Sequence, residues 1–359
     1  MEITGENSMN ENKRKPAYLF FGIISVSLFF LVIISTGMGF IKISFPDVFK
    51  IILAKITGFD SLIAGIDDVK NVVVMEVRLP RILTAAIVGA GLALSGAIFQ
   101  GLLLNPLADP YTLGVSAGAA FGACIAILYN TIVSTVVIST FSVPVFAFAG
   151  GIGTLFFVIY LSSSGGGLSS NNLILSGIIV SAILSAGISL LKYMADEKVS
   201  VIIFWLMGSF ASKSWLDVIL TLSVVSVGCL VAVYYARDLN LISLGERSAA
   251  SLGINTGRVT LILLITASLI AAICVSVSGI IGFVGLLVPH MIRSITGPDN
   301  RKLIPVSIVT GALLLLGADT VIRAVLPGEI PIGVLTALIG GPFFCYIFRK
   351  GQMVRSAVN

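Results

Sequence analysis

Charge is scarce in this chain. Of 359 residues, 11% are Asp, Glu, Lys or Arg, while 57% are hydrophobic; a soluble domain carries about a quarter charged residues. Nearly the whole length is therefore expected in hydrocarbon, where helices satisfy their own backbone groups. Alternating ten-residue strand patterns are missing, which argues against a β-barrel. Histidine occurs once, at His290, and the four cysteines (Cys124, Cys229, Cys274, Cys345) all lie in apolar segments. Neither a zinc site nor a disulfide framework is expected, and the cysteines read as small buried hydrophobes. No G-x-x-x-x-G-K-[ST] motif occurs, so no Walker loop for ATP is expected. The net charge of +5 is spread between apolar runs, which gives nucleic-acid binding little support.

What is present is a series of apolar runs. Ten spans are expected at about 17–40, 80–104, 112–128, 133–161, 172–193, 215–236, 258–277, 280–294, 302–326 and 331–349. The eighth is too short to cross about 30 Å of hydrocarbon as a straight helix, so it should be buried among its neighbours. Lys13, Arg14 and Lys15 precede the first run, which is too long for a signal-peptide core and reads as an uncleaved span. Ten spans put both termini on one side. Arginine splits eight against three in favour of the side of Lys13–Lys15, so the termini are expected in the cytoplasm. The expected layout is a disordered tail at 1–16, one transmembrane domain at 17–349 and a short cytoplasmic tail at 350–359.

Small residues recur every four positions at Ala85, Gly89, Ala93, Ala97 and Gly101, and again at Gly114, Gly118, Gly122 and Ala126. Such ridges let helices approach closely in a bilayer. Three connections differ from the spans. The first outer loop, 41–79, is long and amphipathic. The segment 162–172 (SSSGGGLSSNN) is flexible by composition. The segment 238–257 reads as two short helices hinged at Gly245 and ended at Gly253.

No catalytic constellation is visible, so no enzymatic activity is expected. His290 reads as a proton relay or a structural histidine at a helix break. Asp319 is the main acid inside a span, a functional suspect by position, and it stands four residues before Arg323, the spacing of a helical ion pair. Arg78 and Arg81 flank Pro80 at a helix entrance, and Arg323 ends the ninth span. These three arginines read either as clamps for carboxylates of a protein partner or as side chains snorkelling to headgroups. Segment 238–257 reads either as a docking element for a partner groove, anchored by Leu239, Leu241, Ile242, Leu244 and Leu252 with Glu246 and Arg247 at the rim, or as an interfacial helix.

Several blocks carry a family resemblance: R-L-P-R (78–81), S-G-A-I-F-Q-G-L-L-L-N-P-L-A-D-P (95–110), L-G-V-S-A-G (113–118), L-G-E-R-S-A-A-S-L-G (244–253), G-F-V-G-L-L-V-P-H-M-I-R (282–293), A-D-T-V-I-R (318–323) and P-I-G-V-L-T-A-L-I-G-G-P-F-F (331–344). With these the chain resembles the FecCD permease subunits of ABC importers for iron–siderophore chelates, haem and vitamin B12. The resemblance implies an all-α integral membrane protein of the type II importer fold, with ten helices per subunit and two subunits around a central pathway. It implies a separate ATPase dimer, holding ATP and magnesium, docked on 239–254 (Leu239, Leu241, Leu244, Gly245, Glu246, Arg247, Leu252, Gly253). It implies an extracytoplasmic binding protein docked through Arg78, Arg81 and Arg323. Cytoplasmic gates would be at Asn105, Leu107, Ser170 and Asn171, and the pathway would be lined by Ser176, Gly177, Ser181 and Ser185. The expected cargo is an iron(III)–siderophore chelate, with vitamin B12 or haem as alternatives. An ion-coupled secondary transporter is the competing class, disfavoured by the scarcity of intramembrane acids. No cofactor or metal is expected on the chain itself, and its membrane is the cytoplasmic one.

Overall fold

A computed structural model describes residues 3–39, 41, 43–63, 65–133, 136–163, 168–325 and 330–356. The described residues are almost entirely helical. In chain order the helices are α1 (Ile3–Gly37), α2 (Phe45–Thr57), α3 (Asp68–Val72), α4 (Leu79–Leu102), α5 (Val115–Val133), α6 (Val136–Ser162), α7 (Ser170–Met194), α8 (Val199–Leu206), α9 (Trp215–Tyr234), α10 (Ala236–Ile242), α11 (Glu246–Ser251), α12 (Thr256–Ser278), α13 (Val284–Thr296), α14 (Asn300–Val325) and α15 (Ile332–Ser356). Eight are long and apolar enough to cross a membrane, and two shorter apolar helices, Val284–Thr296 and Ile332–Tyr346, complete ten. All ten coincide with the apolar runs of the sequence.

Two elements differ from the sequence reading. Residues 3–16, expected as a disordered tail, continue α1 as helix. The connection between the fifth and sixth spans holds an additional apolar helix, α8, whose Ile202 is buried.

The bundle is built around α4. Its residues from Val88 to Leu102 are all buried, and it packs on α14, α12, α13 and α9. Glycine makes this possible at two crossings. A Cβ on Gly89 would overlap the carbonyl oxygen of Gly311 in α14, and one on Gly96 would overlap that of Gly285 in α13. The second small ridge lies against α6, where Gly118 faces Gly150 and Thr154 and Gly122 faces Phe146. α13 is short because the chain breaks just before it, with Gly279 and Phe283 both at positive φ, 72° and 68°.

The connection between α1 and α4 is folded. Ser44 caps α2, Gly58 ends it in the left-handed conformation, and a π-helical turn, Val73–Arg78, feeds α3 into α4. Behind α2 a small apolar core forms from Ile43, Val48, Ile51, Val74 and Leu79.

Candidate functional site

The candidate residues gather at the two ends of the bundle. At one end stand the three arginines. Arg81 donates from Nη2 to Asp319 Oδ1 at 3.0 Å and from Nε to the same oxygen at 3.1 Å. Arg323 donates from Nε to Asp319 Oδ2 at 3.0 Å. The i, i+4 pair legible in the sequence is therefore present, and Arg81 joins it across 238 residues of chain. The carboxylate is 1% exposed and the two guanidinium side chains 11% and 8%. A buried carboxylate in this setting needs both partners, since an unpaired charge is costly in low dielectric.

Arg78 is also inward. It is buried and donates to the carbonyl oxygen of Thr36 at 2.8 Å and to that of Ile41. Arg323 further donates to Met38 O at 3.1 Å and to Ser35 Oγ, and Ser35 Oγ meets Thr320 Oγ1 at 2.8 Å. The arginines thus tie the end of α1 to the start of α4 and the end of α14. Side chains read from the sequence as clamps or headgroup contacts are committed within the chain. Arg81 and Arg323 flank one carboxylate, and Arg78 is held beside them on the carbonyl oxygens at the end of α1.

At the opposite end, segment 236–253 folds as expected. α10 and α11 meet at Gly245, which has φ 110°, and the chain turns at Gly253 with φ 85°. Its leucines divide between two surfaces. Leu239 is fully buried, with its side chain 3.0 Å from where a Cβ of Gly101 would stand at the end of α4. Ile242 is buried and Leu241 leans on the same core. Leu244 and Leu252 are 70% and 63% exposed, and Arg247 is exposed. The expectation that all the leucines anchor a partner is therefore corrected: Leu239 and Ile242 face this chain, because an amphipathic helix seated on a bundle spends one face on it. Glu246 opens α11, and its side chain lies outside the described residues.

The sequence reading missed the fastening of this segment. Asn240 Nδ2 donates to Asp299 Oδ1 at 2.7 Å, and Asn240 Oδ1 accepts from the backbone N–H and the Nδ2 of Asn300, both at 2.8 Å. Asp299 also accepts from Arg301 Nη2 at 3.1 Å. Burial opposes the Asp299 carboxylate, but the bonds from Arg301 and Asn240 outweigh it and hold its pKa below the ordinary value. The polar run Asp299–Asn300 at a helix start signals capping, whereas its partner in α10 has no sequence signature.

The residues expected as a gate adjoin the end of α4. Asn105 Oδ1 accepts from Leu107 N–H at 2.9 Å, an Asx-type turn in the loop that ends α4. Ser170 Oγ donates to Leu102 O at 3.3 Å, which brings the start of α7 to the same place, and Asn171 is exposed. Further along the loop Asp109 is buried and accepts from the N–H groups of Tyr111 and Thr112 at 3.0 Å. Burial pushes its pKa up to about 6 against those two bonds.

The four pathway residues on α7 separate. Ser185 is exposed and Ser176 half-buried. Gly177 is buried, and a Cβ there would overlap Thr112 O. The Ser181 hydroxyl is buried beside Gly114. Gly177 and Ser181 pack α7 against the turn that leads into α5. Among the described residues, no group of three or more His, Cys, Asp or Glu could hold a metal ion.

Comparisons with known proteins agree with this architecture. The sequence model of the FecCD transport family matches residues 27–350. The chain is 45% identical over 289 residues to the cobalamin import system permease protein BtuC of Halobacterium salinarum, covering 80% of this chain and 76% of that one. It is 38% identical over 340 residues to the Fe(3+)-citrate import system permease protein YfmE of Bacillus subtilis, covering 94% of this chain and 96% of that one. A solved structure described as an inward-facing, metal-chelate type ABC transporter superposes with a TM-score of 0.80 at 36% identity, covering 93% of this chain and 99% of that one.

Proposed function

The chain belongs to the FecCD transport family and is a multi-pass permease of an ABC importer in the cytoplasmic membrane, and on that premise we propose that its cargo is a bulky metal chelate of the iron(III)–siderophore kind. Two copies form the pathway, an ATPase dimer docks on α10 and α11, and a binding protein delivers the chelate at the arginine end. The observation that carries this reading is the mechanical continuity at the α10 end. Leu244 and Leu252 are left exposed for a partner, while Leu239 and Asn240 of the same short helix are fixed to the end of α4 and the start of α14. A push on the exposed face therefore reaches the Asn105–Leu107 turn and Ser170, which adjoin the end of α4.

ATP closure would shift the balance between inward- and outward-facing states, to the extent that the partner binds one better than the other. At the other end Arg78, Arg81 and Arg323 would register acidic groups of the binding protein; direct pairing would require these side chains to leave their present partners. Ser176 and Ser185 are the α7 residues offered to the pathway.

A second cargo reading, cobalamin, is favoured by the 45% identity to the Halobacterium salinarum permease. The test is uptake into proteoliposomes holding the permease, its ATPase and binding protein, offered labelled ferric siderophore and labelled cobalamin. ATP-dependent accumulation of ferric siderophore supports the first reading, and of cobalamin the second. Accumulation that follows an imposed ion gradient and ignores ATP overturns both.

A further inference from the structure

Helix α2 has three faces, and one of them is largely exposed among the described residues. Val48, Ile51 and Ala54 are buried against the small core beneath it. Asp47 and Lys50 stand on a second face, where Asp47 meets Lys70 of α3 at 3.5 Å. Phe45, Phe49 and Ile56, spaced i, i+4 and i+11, form a third stripe, while Ile52 beside it leans on the small core. Phe45 is 51%, Phe49 67% and Ile56 78% exposed, and Phe59 just beyond the helix is exposed too.

The position of this stripe says what covers it. A Cβ on Gly37, the last residue of α1, would touch the Phe45 ring, so α2 begins against the end of the first spanning helix. The outward surface of α1 is apolar through Val26, Phe29, Phe30, Ile33 and Ile34, the composition of a lipid-facing span. Toward Phe45, Met38 and Ile41 are exposed as well.

We propose that α2 is an interfacial helix whose Phe45–Phe49–Ile56 stripe, with Phe59, inserts into the lipid leaflet at the arginine end of the bundle. A helix at the junction of protein, lipid and water needs one face for each, and α2 has them: a buried face, an aromatic and aliphatic face, and a charged face. Lys55, between the buried and aromatic faces in the last turn, is exposed and long enough to snorkel to headgroups. The consequence is positional. α2 and its core adjoin the π-helical turn that carries Arg78, and Trp215 at the start of α9 donates to Met75 O in that turn at 3.0 Å. The leaflet thereby sets the height of the rim on which the arginines stand.

The test places tryptophan reporters in the full-length permease, reconstituted with its ATPase in vesicles of phosphatidylcholine carrying bromines near the headgroup end of one acyl chain. Phe49→Trp and Ile56→Trp report on the stripe and Lys50→Trp on the charged face, each read as the difference from the parent protein. These positions are exposed, so a larger ring is accommodated. The expected result is quenching of the Phe49→Trp and Ile56→Trp signals by bromolipid, by about twofold or more, with protection from iodide, and the reverse for Lys50→Trp. Iodide quenching of the stripe reporters to the level of Lys50→Trp would overturn the proposal by showing a face in water. Stripe signals quenched by neither agent would overturn it by showing a face covered by protein, such as a second copy.

Discussion

Arg81 and Asp319 lie 238 residues apart in sequence and 3.0 Å apart in space, and Arg323 holds the other oxygen of the same carboxylate. α14 is about 39 Å long at 1.5 Å per residue. Its far end begins at Asn300, fastened to Asn240 of the docking segment. One helix thus connects the arginine cluster to the segment proposed to receive the ATPase.

Replacing Asp319 by Asn leaves two buried guanidinium groups around a neutral amide. The expected destabilisation is about 3–5 kcal/mol. Arg81→Gln should cost less, about 1–3 kcal/mol, because Arg323 still pairs with the carboxylate. Thermal unfolding in detergent checks the order; equal losses would show that Arg81 contributes as much as the acid itself.

The docking segment should divide by surface. Leu244→Asp and Leu252→Asp alter exposed side chains, so the folded permease is expected to persist while co-purification with the ATPase is lost. Leu239→Ala opens a cavity under α10 and should destabilise the fold by about 2–5 kcal/mol, with ATPase binding retained in the folded fraction. Loss of binding from Leu239→Ala alone, without loss of stability, would contradict this division.

Asp109 gives a pH signature. Its pKa is about 6 in the folded chain and near 3.8 when unfolded, so the folded state holds the proton more tightly. Stability is then greatest below about pH 4 from this group and falls as pH rises toward 6. Asp109→Asn keeps an acceptor for Tyr111 and Thr112 N–H and removes the charge. It should flatten that part of the pH profile and raise stability at pH 7.5 by roughly 1–3 kcal/mol. A thermal-shift series from pH 4 to 8 reads both effects.

Gly96→Ala should push α4 from α13, since the added methyl meets the Gly285 carbonyl. Backbone cannot yield as a flexible side chain does, and a cost of about 1–3 kcal/mol is expected. Gly153→Ala, with open space around it, is the control and should be close to neutral.

The ten spans were legible because apolar runs of that length have few other uses, and even the short α13 showed as a run too brief to cross. The hinge at Gly245 and the stop at Gly253 were legible because glycine marks positive φ, and Asp319–Arg323 because helical spacing is local. Arg81 as a second partner of Asp319 was not, since nothing local specifies a contact 238 residues away. The same limit hid Asn240 with Asp299. Leu239 and Leu244 look alike in sequence, and only the packing of α10 on Gly101 separates a buried leucine from an offered one. The packing of Gly177 and Ser181 against the turn before α5 had no signature in the sequence either.

The most direct test of the account is the ratio of chelate imported to ATP hydrolysed in proteoliposomes carrying Asn240→Ala. That variant loses the bonds to Asp299 and Asn300 but keeps Leu244 and Leu252, the exposed leucines proposed to hold the ATPase. The account predicts assembly and ATP hydrolysis near the parent level with import per ATP reduced about tenfold, the equivalent of about 1.4 kcal/mol of lost coupling. An unchanged ratio would contradict the claim that α10 drives the gate through its fastening to α4 and α14.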